Sequence, residues 1–445
     1  MLKILINYEL TLQIVDIISA CMFIFAASIA WYYIGYFVIS FKKNKAVPHS
    51  EKKTHFAILV PARNESNVID HILFSLKRQR YDENFYDVWI IVQDENDPTI
   101  EIVKRYGKNF HTFIRPLPIG NRCTKGYALQ DCINYFYENN LNYDAYMIFD
   151  ADNVMEKDFL SKMNDLRQTG VQVGVGYRNF TNATQNWLTC CSATLFSYIN
   201  NFTSKGRSIL FKKATLSGTG YYIDADIIKD AGGWIFTGMT EDVEVTTYCY
   251  YHNVNMRYYP NAVYYDEQSS KLKIVHNQHI RWVWGYFGDR HFLKKREPNY
   301  KSVSEKRLQT AIYDWNVSIF PFIALVATNL CLAIFTLVMT IVAAFKDHNY
   351  LSTFFWHFGI QMIVLYGLFV FVALITILKD NKNLKFNLPT ILWTALTYGL
   401  FFFDFVTAFL DGLIHKKKRT IWKPIAHNGE IIDKRAKAQI KNKKK

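Results

Sequence analysis

The chain has 445 residues, of which 50% are hydrophobic, and this is enough apolar material for two or three domains. Disorder throughout the chain is therefore excluded. The net charge is +14, but residues 416–445 hold twelve Lys or Arg against Glu430 and Asp433 and carry +10 of it. A charge excess confined to one tail favours a topology signal or contact with anionic lipid head groups over nucleic-acid binding, with a solvated tail as the alternative.

The first predicted element is an apolar segment from Ile17 to Phe41 without a charged residue. About 20 apolar residues are enough to cross a bilayer as a helix, so residues 1–45 are predicted to hold an N-terminal transmembrane helix. A cleaved signal peptide is the alternative, but the apolar region is too long and lacks a small-residue cleavage site. Lys42, Lys43 and Lys45 follow directly, which favours a cytoplasmic position for the next domain.

Residues 50–265 alternate between strand-like and helix-like patterns. Predicted strands cover Phe56–Val60, Val88–Val92 and Tyr146–Phe149, and a helical pattern follows each of the first two. This β-α-β order is typical of a parallel sheet. Ligands bind such sheets at the carboxyl ends of the strands, so polar residues that follow the strands are expected to share one crevice. These residues are Glu65, Asp94, Asp150 and Asp152.

Asp150 and Asp152 form an Asp-x-Asp pair at the exit of the third predicted strand. Mg²⁺ or Mn²⁺ typically takes one or two protein carboxylates together with phosphate oxygens of a substrate. The pair therefore predicts a metal-dependent diphosphate site. An Asp that caps a helix is the alternative for an isolated pair of this kind.

A second acidic cluster, Thr240-Glu241-Asp242, comes after a predicted glycine-bearing strand, Leu216–Tyr221. A sugar hydroxyl that attacks an anomeric carbon needs a carboxylate to accept its proton, and Asp242 is the candidate for this base. Taken alone, Asp242 is also explained as a helix N-cap or a surface acid.

The segment 266–310 is predicted to form amphipathic helices at the membrane interface. In a helix, Gln278, Arg281 and Trp282 share one face, because they are spaced by three and four residues. Trp282 could stack on a sugar ring, and Arg281 could offset the charge on a departing diphosphate. An aromatic belt at the membrane interface explains the same residues, and both interpretations can hold together.

Three further apolar blocks, each long enough to cross a membrane, fill residues 315–414 and precede the basic tail 415–445. They are Trp315–Phe345, Leu351–Leu378 and Leu388–Ile414. Three crossings after a cytoplasmic domain would place the basic tail outside, against the positive-inside rule. Either one block does not cross, with Pro321 and Asp404 as the irregular positions, or the tail is an exception.

These motifs, in this order and between apolar blocks, resemble the processive family 2 glycosyltransferases, which include cellulose, chitin, hyaluronan and poly-N-acetylglucosamine synthases. The resemblance covers about residues 55–295 and rests on four parts. They are Pro61–Glu65 with Asp94, Asp150-Ala151-Asp152, Thr240-Glu241-Asp242 and Gln278-x-x-Arg281-Trp282.

The resemblance implies an α/β GT-A-like catalytic domain, a Rossmann-like mixed sheet inserted between α-helical transmembrane segments. It implies an integral plasma-membrane protein with a cytoplasmic catalytic domain, which needs Mn²⁺ or Mg²⁺ and no partner subunit. The enzyme would invert the anomeric carbon of a UDP-sugar donor and extend a β-linked polysaccharide, exporting it through its own channel. The expected order of polymers is β-glucan, then N-acetylglucosamine polymers, then hyaluronan.

The resemblance also assigns residue roles by position. Glu65 and Asp94 would contact the uridine, Lys125 the donor phosphates, and Asp152 with Asp150 the metal. Asp242, beside Glu241, would be the general base. Gln278, Arg281 and Trp282 would bind substrate, and Trp282 would hold the terminal sugar of the acceptor. The segment Gln93-Asp94-Glu95-Asn96-Asp97 departs from the family pattern, so Asp94 and Asp97 both stay candidates for the uridine contact.

Two other functions fit the sequence. A non-processive membrane glycosyltransferase that acts on a lipid such as ceramide has similar motifs and one N-terminal span. A non-catalytic accessory subunit is the second alternative, although all the expected acidic residues are present.

Overall fold

The computed structural model describes residues 17, 21, 35–116, 122–289, 292, 296, 350–415, 429 and 431–440. The predicted block Trp315–Phe345 and most of the block Ile17–Phe41 lie outside these residues. Within the described part, the helix Leu388–Ile414 is the one long and apolar enough to cross a membrane by length and composition, and half of its apolar window is buried.

The centre of the protein is a mixed sheet with the strand order β3-β2-β1-β4-β7-β6-β8-β5. Strands β1 to β4 are mutually parallel, whereas β7 runs antiparallel to both β4 and β6. The strands are β1 Phe56–Pro61, β2 Tyr86–Val92, β3 Phe110–Ile114, β4 Ala145–Ile148, β5 Val154–Met155, β6 Val173–Phe180, β7 Tyr221–Asp224 and β8 Met256–Asp266.

Helices cover both faces of this sheet. In chain order they are α1 Ile69–Lys77, α2 Thr99–Val103, α3 Lys125–Glu138, α4 Phe159–Gln168, α5 Trp187–Tyr198, α6 Lys205–Phe211, α7 Ala225–Asp230, α8 Glu241–Tyr251 and α9 Leu272–Asp289. A short π-helical segment, Ile199–Ser204, joins α5 to α6. The C-terminal part adds α10 Tyr350–Leu384, α11 Leu388–Ile414 and α12 Lys434–Ile440.

The central strands are apolar along their whole length because both of their faces are buried. In β1, residues Phe56 to Val60 are fully buried, and side chains on alternate faces enter two separate cores. Leu59 packs in the core that includes α3 and α8, whereas Ile58 packs in the core that includes α1 and α4. Continuous apolar runs are typical of parallel strands covered on both sides. The three strands predicted from the sequence are therefore confirmed, within two residues at each end.

The predicted glycine-bearing strand Leu216–Tyr221 is wrong. The strand β7 begins only at Tyr221, and the preceding residues form a loop at the cavity. Gly218 and Gly220 have φ values of +82° and +72°, which residues with a Cβ rarely adopt and which interrupt a strand. This loop carries its backbone close to the acidic residues, since a Cβ on Gly218 would lie 3.9 Å from Asp242 Oδ2.

Residues 56–289, which hold the sheet and the helices α1 to α9, are named the catalytic half. Helix α11 lies along this half over most of its length. Near its start, Ile391 packs in a cluster with Phe180 and Phe386, and near its end Gly412 lies against the indole of Trp284. The side chains on its opposite face are large, apolar and exposed. This exposed stripe contains Leu388, Leu392, Trp393, Leu396, Leu400, Phe403, Leu410 and Leu413.

The C-terminal segment returns to the catalytic half after α11. Ile431 is buried in a cluster with Val154 and Tyr265, at the β5 edge of the sheet. The backbone N–H groups of Ile432 and Asp433 both donate to the carbonyl of Thr181, at 2.7 and 2.8 Å. Residues 431–440 and the catalytic half therefore lie on one side of any bilayer.

Candidate active site

A cavity of about 390 Å³ opens at the carboxyl ends of the central strands. Its walls include Lys125 from the start of α3, Asp150 and Asp152 after β4, Glu241 and Asp242 from α8, and Asp266 from the end of β8. The opposite wall carries Gln278, Arg281 and Trp282 from α9. Residues from all four sequence motifs therefore line a single cavity, as the strand-end pattern predicts.

Three carboxylates form a cluster on one side of the cavity. One oxygen from each of Asp150, Asp152 and Asp266 lies within 4.8 Å of the others. Asn153 holds two of them, because its Nδ2 atom donates to Asp152 Oδ1 at 3.1 Å and to Asp266 Oδ1 at 2.9 Å. A helix cap does not explain the Asp-x-Asp pair, because β5 follows it.

The cluster fits a hard divalent cation. Its donors are carboxylate oxygens, the ligands that Mg²⁺ and Mn²⁺ prefer, and their spacing allows one ion to reach all three. Asp152 and Asp266 are buried. Buried carboxylates so close together repel each other unless a positive charge lies between or beside them.

Lys125 supplies one such charge. Its Nζ atom contacts Asp150 Oδ1, donates to the Gly218 carbonyl at 2.8 Å and lies 3.8 Å from Glu241 Oε1. Burial lowers the pKa of Lys125, but Asp150 and Glu241 outweigh this effect and the net shift is upward. Burial likewise raises the pKa of Asp150, and the Lys125 ammonium more than offsets it, so this carboxylate stays ionised.

Glu241 and Asp242 lie in the first turn of α8, where Thr240 is the N-cap residue. Burial raises the pKa of Glu241 to about 7, with Lys125 opposing the shift and Asp242 adding to it. Burial also raises the pKa of Asp242, although the Val243 N–H donates to Asp242 Oδ1 at 3.0 Å. A raised carboxylate pKa at a cavity wall suits a group that accepts a proton during a reaction.

Helix α9 presents its predicted face to the cavity. Arg281 lies close enough to Asp150 and Asp242 to lower the pKa of both, against the effect of burial. The Trp282 ring packs edge-on against Phe196 of α5, with ring centroids 6.1 Å apart. The helical prediction for Gln278 to Trp282 is therefore confirmed, and the three side chains line one wall.

Of the two residues predicted to contact the uridine, Glu65 and Asp94, one lines the cavity and the other does not. Glu65 lines the cavity, whereas Gln93, and not Asp94, is the lining residue at the end of β2. Asp94 Oδ1 accepts from the Asn96 N–H in a local turn. Asp97 is buried and caps the chain around it, with its oxygens accepting from the Asn64 and Thr99 N–H groups.

Sequence reasoning missed Arg178 and Asp266. Arg178 forms an ion pair with Asp266 at 2.5 Å, donates to the Ser217 carbonyl and lies 3.9 Å above the Phe196 ring. Asp266 ends the strand β8, which is rich in tyrosine, so the argument that site residues follow strands could have found it. A lone arginine within a strand gives no comparable signal.

Comparison with known proteins decides the family. Residues 53–285 match the family described as glycosyltransferase like family 2, and this is more than half of the chain. The chain belongs to this family. The matched residues contain the whole of the sheet and the acidic cluster, and they end within α9.

Two curated proteins of known name are similar in sequence to this family 2 glycosyltransferase. The β-monoglucosyldiacylglycerol synthase of Trichormus variabilis is 25% identical over 52% of this chain and 48% of its own length. The poly-β-1,6-N-acetyl-D-glucosamine synthase of Staphylococcus epidermidis strain RP62A is 22% identical over 76% of this chain and 80% of its own length. The chain spans about half the length of the first curated relatives that it matches.

The fold is shared with a solved structure. The mannosyltransferase PcManGT of Pyrobaculum calidifontis, in complex with GDP-mannose and Mn²⁺, superposes with a TM-score of 0.58 over 91% of this chain and 99% of its own. Its sequence is 14% identical, so the likeness concerns the fold alone. The GT-A-like fold of this chain is thereby established.

Proposed function

We propose that this family 2 glycosyltransferase transfers the sugar of a UDP-sugar to the end of a growing β-linked polysaccharide, at a membrane, with its catalytic domain in the cytoplasm. The observation that carries the proposal is the single cavity in which Asp242 faces a three-carboxylate cluster on one side and the α9 wall on the other.

In this mechanism an acceptor hydroxyl oxygen attacks the anomeric carbon as the bond from that carbon to the diphosphate breaks. Asp242 accepts the hydroxyl proton, and UDP leaves with the bonding electron pair. Direct displacement inverts the anomeric carbon. Arg281 and Lys125, which both lie beside Asp150, offset the charge on the departing diphosphate.

Asp150, Asp152 and Asp266 would hold the divalent cation. When bound, it would neutralise part of the diphosphate charge in the ground state and in the transition state. The Mn²⁺ in the mannosyltransferase with the same fold supports this part of the proposal.

The relatives change the expected order of donors. The poly-N-acetylglucosamine synthase aligns over 347 residues, whereas the glucosyl lipid synthase aligns over 232. We therefore place UDP-N-acetylglucosamine before UDP-glucose, which reverses the order expected from the motifs alone.

Membrane association is supported by the exposed stripe of α11. Its large apolar side chains recur every three or four residues, as expected for one face of a helix in contact with lipid. Leu388 and Ile414 at the two ends of this helix are 67% and 75% exposed. Contact with acyl chains would remove this apolar area from water.

A lipid acceptor is the second candidate function, favoured by one feature of the cavity. The wall between α5 and α9 is largely apolar and could hold an acyl chain beside the acceptor hydroxyl. The residues on this wall are Leu195, Phe196, Ile199, Val283, Tyr286 and Phe287.

The test is incubation of the purified, detergent-solubilised protein with radiolabelled UDP-N-acetylglucosamine or UDP-glucose, each with Mn²⁺ or EDTA. A metal-dependent product of high molecular weight, cleaved by a linkage-specific glycosidase, is the expected result. Label that extracts into organic solvent would establish the lipid acceptor instead. Release of UDP without a labelled product larger than the free sugar would contradict both acceptor classes.

A further inference from the structure

Helix α11 carries two acidic residues, Asp404 and Asp411, within an apolar sequence. Ionisable side chains in such a helix are costly unless they are paired, and they commonly have a function. Both are paired here with histidines of α9, the helix that carries Gln278, Arg281 and Trp282. None of the roles assigned above uses these contacts.

The carboxylate of Asp404 is shared by two imidazole rings. His276 Nδ1 donates to Asp404 Oδ1 and His279 Nδ1 donates to Asp404 Oδ2, each at 2.7 Å. Asp411 Oδ2 lies 3.3 Å from the second ring nitrogen of His276. The His276 ring therefore lies between the two carboxylates of α11.

His279 is almost fully buried, and its ring lies flat on Phe405 with centroids 3.7 Å apart. Burial lowers the pKa of His279 despite Asp404, so the neutral ring with its proton on Nδ1 is favoured. The Trp282 ring lies next to it, 5.4 Å from the His279 ring and 6.3 Å from Phe405. The Trp282 ring therefore packs beside His279, whose orientation is fixed by its hydrogen bond to Asp404.

Apolar packing alone would not fix α9 so closely. The apolar contacts between α9 and α11 include ring contacts such as Trp284 on Phe409, with centroids 5.2 Å apart, and such contacts tolerate small shifts. The hydrogen bonds that one carboxylate accepts from two histidines set both the rotation and the axial register of α9. Single buried polar contacts are known to specify register in packed helices at a cost in stability.

We propose that Asp404, through His276 and His279, is a positioning residue that holds the Trp282 and Arg281 face of α9 against the cavity. The inference rests on the proposed function, because its kinetic consequence concerns transfer to the acceptor. Loss of the contact lets α9 rotate, so the acceptor end is misplaced. The donor site is formed mainly by the strand ends and α8, so donor binding is unaffected. The displacement of Arg281 lowers donor hydrolysis, but less than the misplaced acceptor end lowers transfer.

The experiment compares full-length Asp404→Asn, which keeps the shape and removes the charge, with His415→Asn as the matched control. The His415 side chain is more than half exposed, and its ring lies 2.6 Å from Asp411 Oδ1. Hydrogen exchange of residues 272–289 is measured first, because it needs no substrate. We expect exchange in this helix to rise about tenfold in Asp404→Asn, as loss of a charged hydrogen bond implies, and to stay unchanged in the control.

The kinetic measurement is the ratio of sugar transferred to donor hydrolysed, with the KM for the UDP-sugar. Asp404→Asn should lower the ratio about tenfold and leave the donor KM unchanged. His279→Asn leaves Asp404 bonded to His276, so it should lower the ratio of transfer to hydrolysis by a smaller factor. This variant replaces Asp404→Asn in the test if Asp404→Asn does not fold. Unchanged exchange of α9, or equal losses of transfer and hydrolysis, would overturn the proposal. If wild-type protein transfers no sugar, the proposed function falls, and the exchange comparison still decides the positioning role.

Discussion

At the scale of single residues, five of the seven carboxylates that line the cavity lie close to one another and to a few cations. Asp150, Asp152 and Asp266 lie close together, and Glu241 and Asp242 face them across Lys125. Burial raises the pKa of Glu241 and Asp242, whereas Lys125 keeps Asp150 ionised. The cluster of three carboxylates is therefore suited to binding a cation, whereas Glu241 and Asp242 are suited to accepting a proton.

Asp242→Asn should reduce sugar transfer at least about a hundredfold, because the amide cannot accept the proton of the acceptor hydroxyl. UDP binding, measured by calorimetry, should remain. Wild-type kcat should also fall on acidification at a pH above the ordinary range of an aspartate, since burial raises the pKa of Asp242. Asp230→Asn, an exposed control, should match wild type. Transfer by Asp242→Asn at the wild-type rate would remove Asp242 as the base.

Asp266→Asn should weaken Mn²⁺ binding at least about tenfold, because it removes one of three carboxylates and leaves Arg178 without its ion-pair partner. Binding is measured by electron paramagnetic resonance without donor. Glu267→Gln is the control, since Glu267 lines the cavity outside the cluster. If Asp266→Asn and Glu267→Gln bind Mn²⁺ with equal affinity, the metal site would consist of Asp150 and Asp152 without Asp266.

The residues that sequence reasoning placed in the cavity share one property, which is a position just after a predicted strand or in a short acidic motif. Glu65, Asp150 and Asp242 were found in this way. Arg178 was not, because its role depends on the pairing of β6 with β8, and long-range pairing leaves no local pattern. The choice between Asp94 and Asp97 also depended on loop geometry that the sequence does not encode locally.

At the scale of elements, the first turn of α8 contains a buried acid outside the cavity wall. Burial raises the pKa of Glu244 to about 8, although the Gly238 N–H donates to its Oε2 at 2.9 Å. Asp289 at the end of α9 and Glu241 add to the shift. This group ties the loop before α8 to the helix, so its protonation affects the stability of that turn.

The sign of the pH effect follows from this raised pKa. Between about pH 4.5 and 8 the folded protein binds more protons at Glu244 than the unfolded chain, so stability falls as pH rises through this range. Glu244→Gln should make the melting temperature depend less on pH. At pH 9 its melting temperature should be higher than that of wild type. Thermal unfolding in detergent between pH 6 and 9 measures this. The exposed control Glu138→Gln should follow wild type, and a parallel curve for Glu244→Gln would contradict the assignment.

Apolar runs predicted the central strands because both faces of the sheet are covered. The strand prediction failed at residues 216–220, because positive φ values at Gly218 and Gly220 impose a loop. The apolar block Leu388–Ile414 was correctly predicted as a helix, and its sequence did not reveal that one face packs on α5 and α9. Periodicity identifies an apolar face without identifying what covers it.

At the scale of the whole molecule, the tail resolves a conflict of topology. Residues 431–440 pack on the catalytic half, so the chain crosses any bilayer an even number of times between Asp289 and Ile431. With the catalytic domain in the cytoplasm, as we propose, the basic tail lies on the same side, in agreement with the positive-inside rule. Three crossings after the catalytic domain are incompatible with this contact.

A protease-sensitive tag fused after Lys445 should therefore be digested in inverted membrane vesicles and protected in intact spheroplasts. The catalytic domain itself is the internal control, because it should show the same sidedness. If the tag is digested in spheroplasts while the catalytic domain stays intact, the contact between the tail and the catalytic half does not form in the membrane.

The docked tail also has a consequence for biosynthesis. The Gly429 N–H donates to Glu267, beside Asp266 of the carboxylate cluster, although the two residues are separated by 162 positions in the chain. At about 5 to 20 residues per second, a ribosome needs roughly 10 to 30 s to reach Gly429 after Glu267. The edge strand β5 stays uncovered by the tail for this time, so a nascent chain holds every acidic residue of the cavity before the tail has packed beside them.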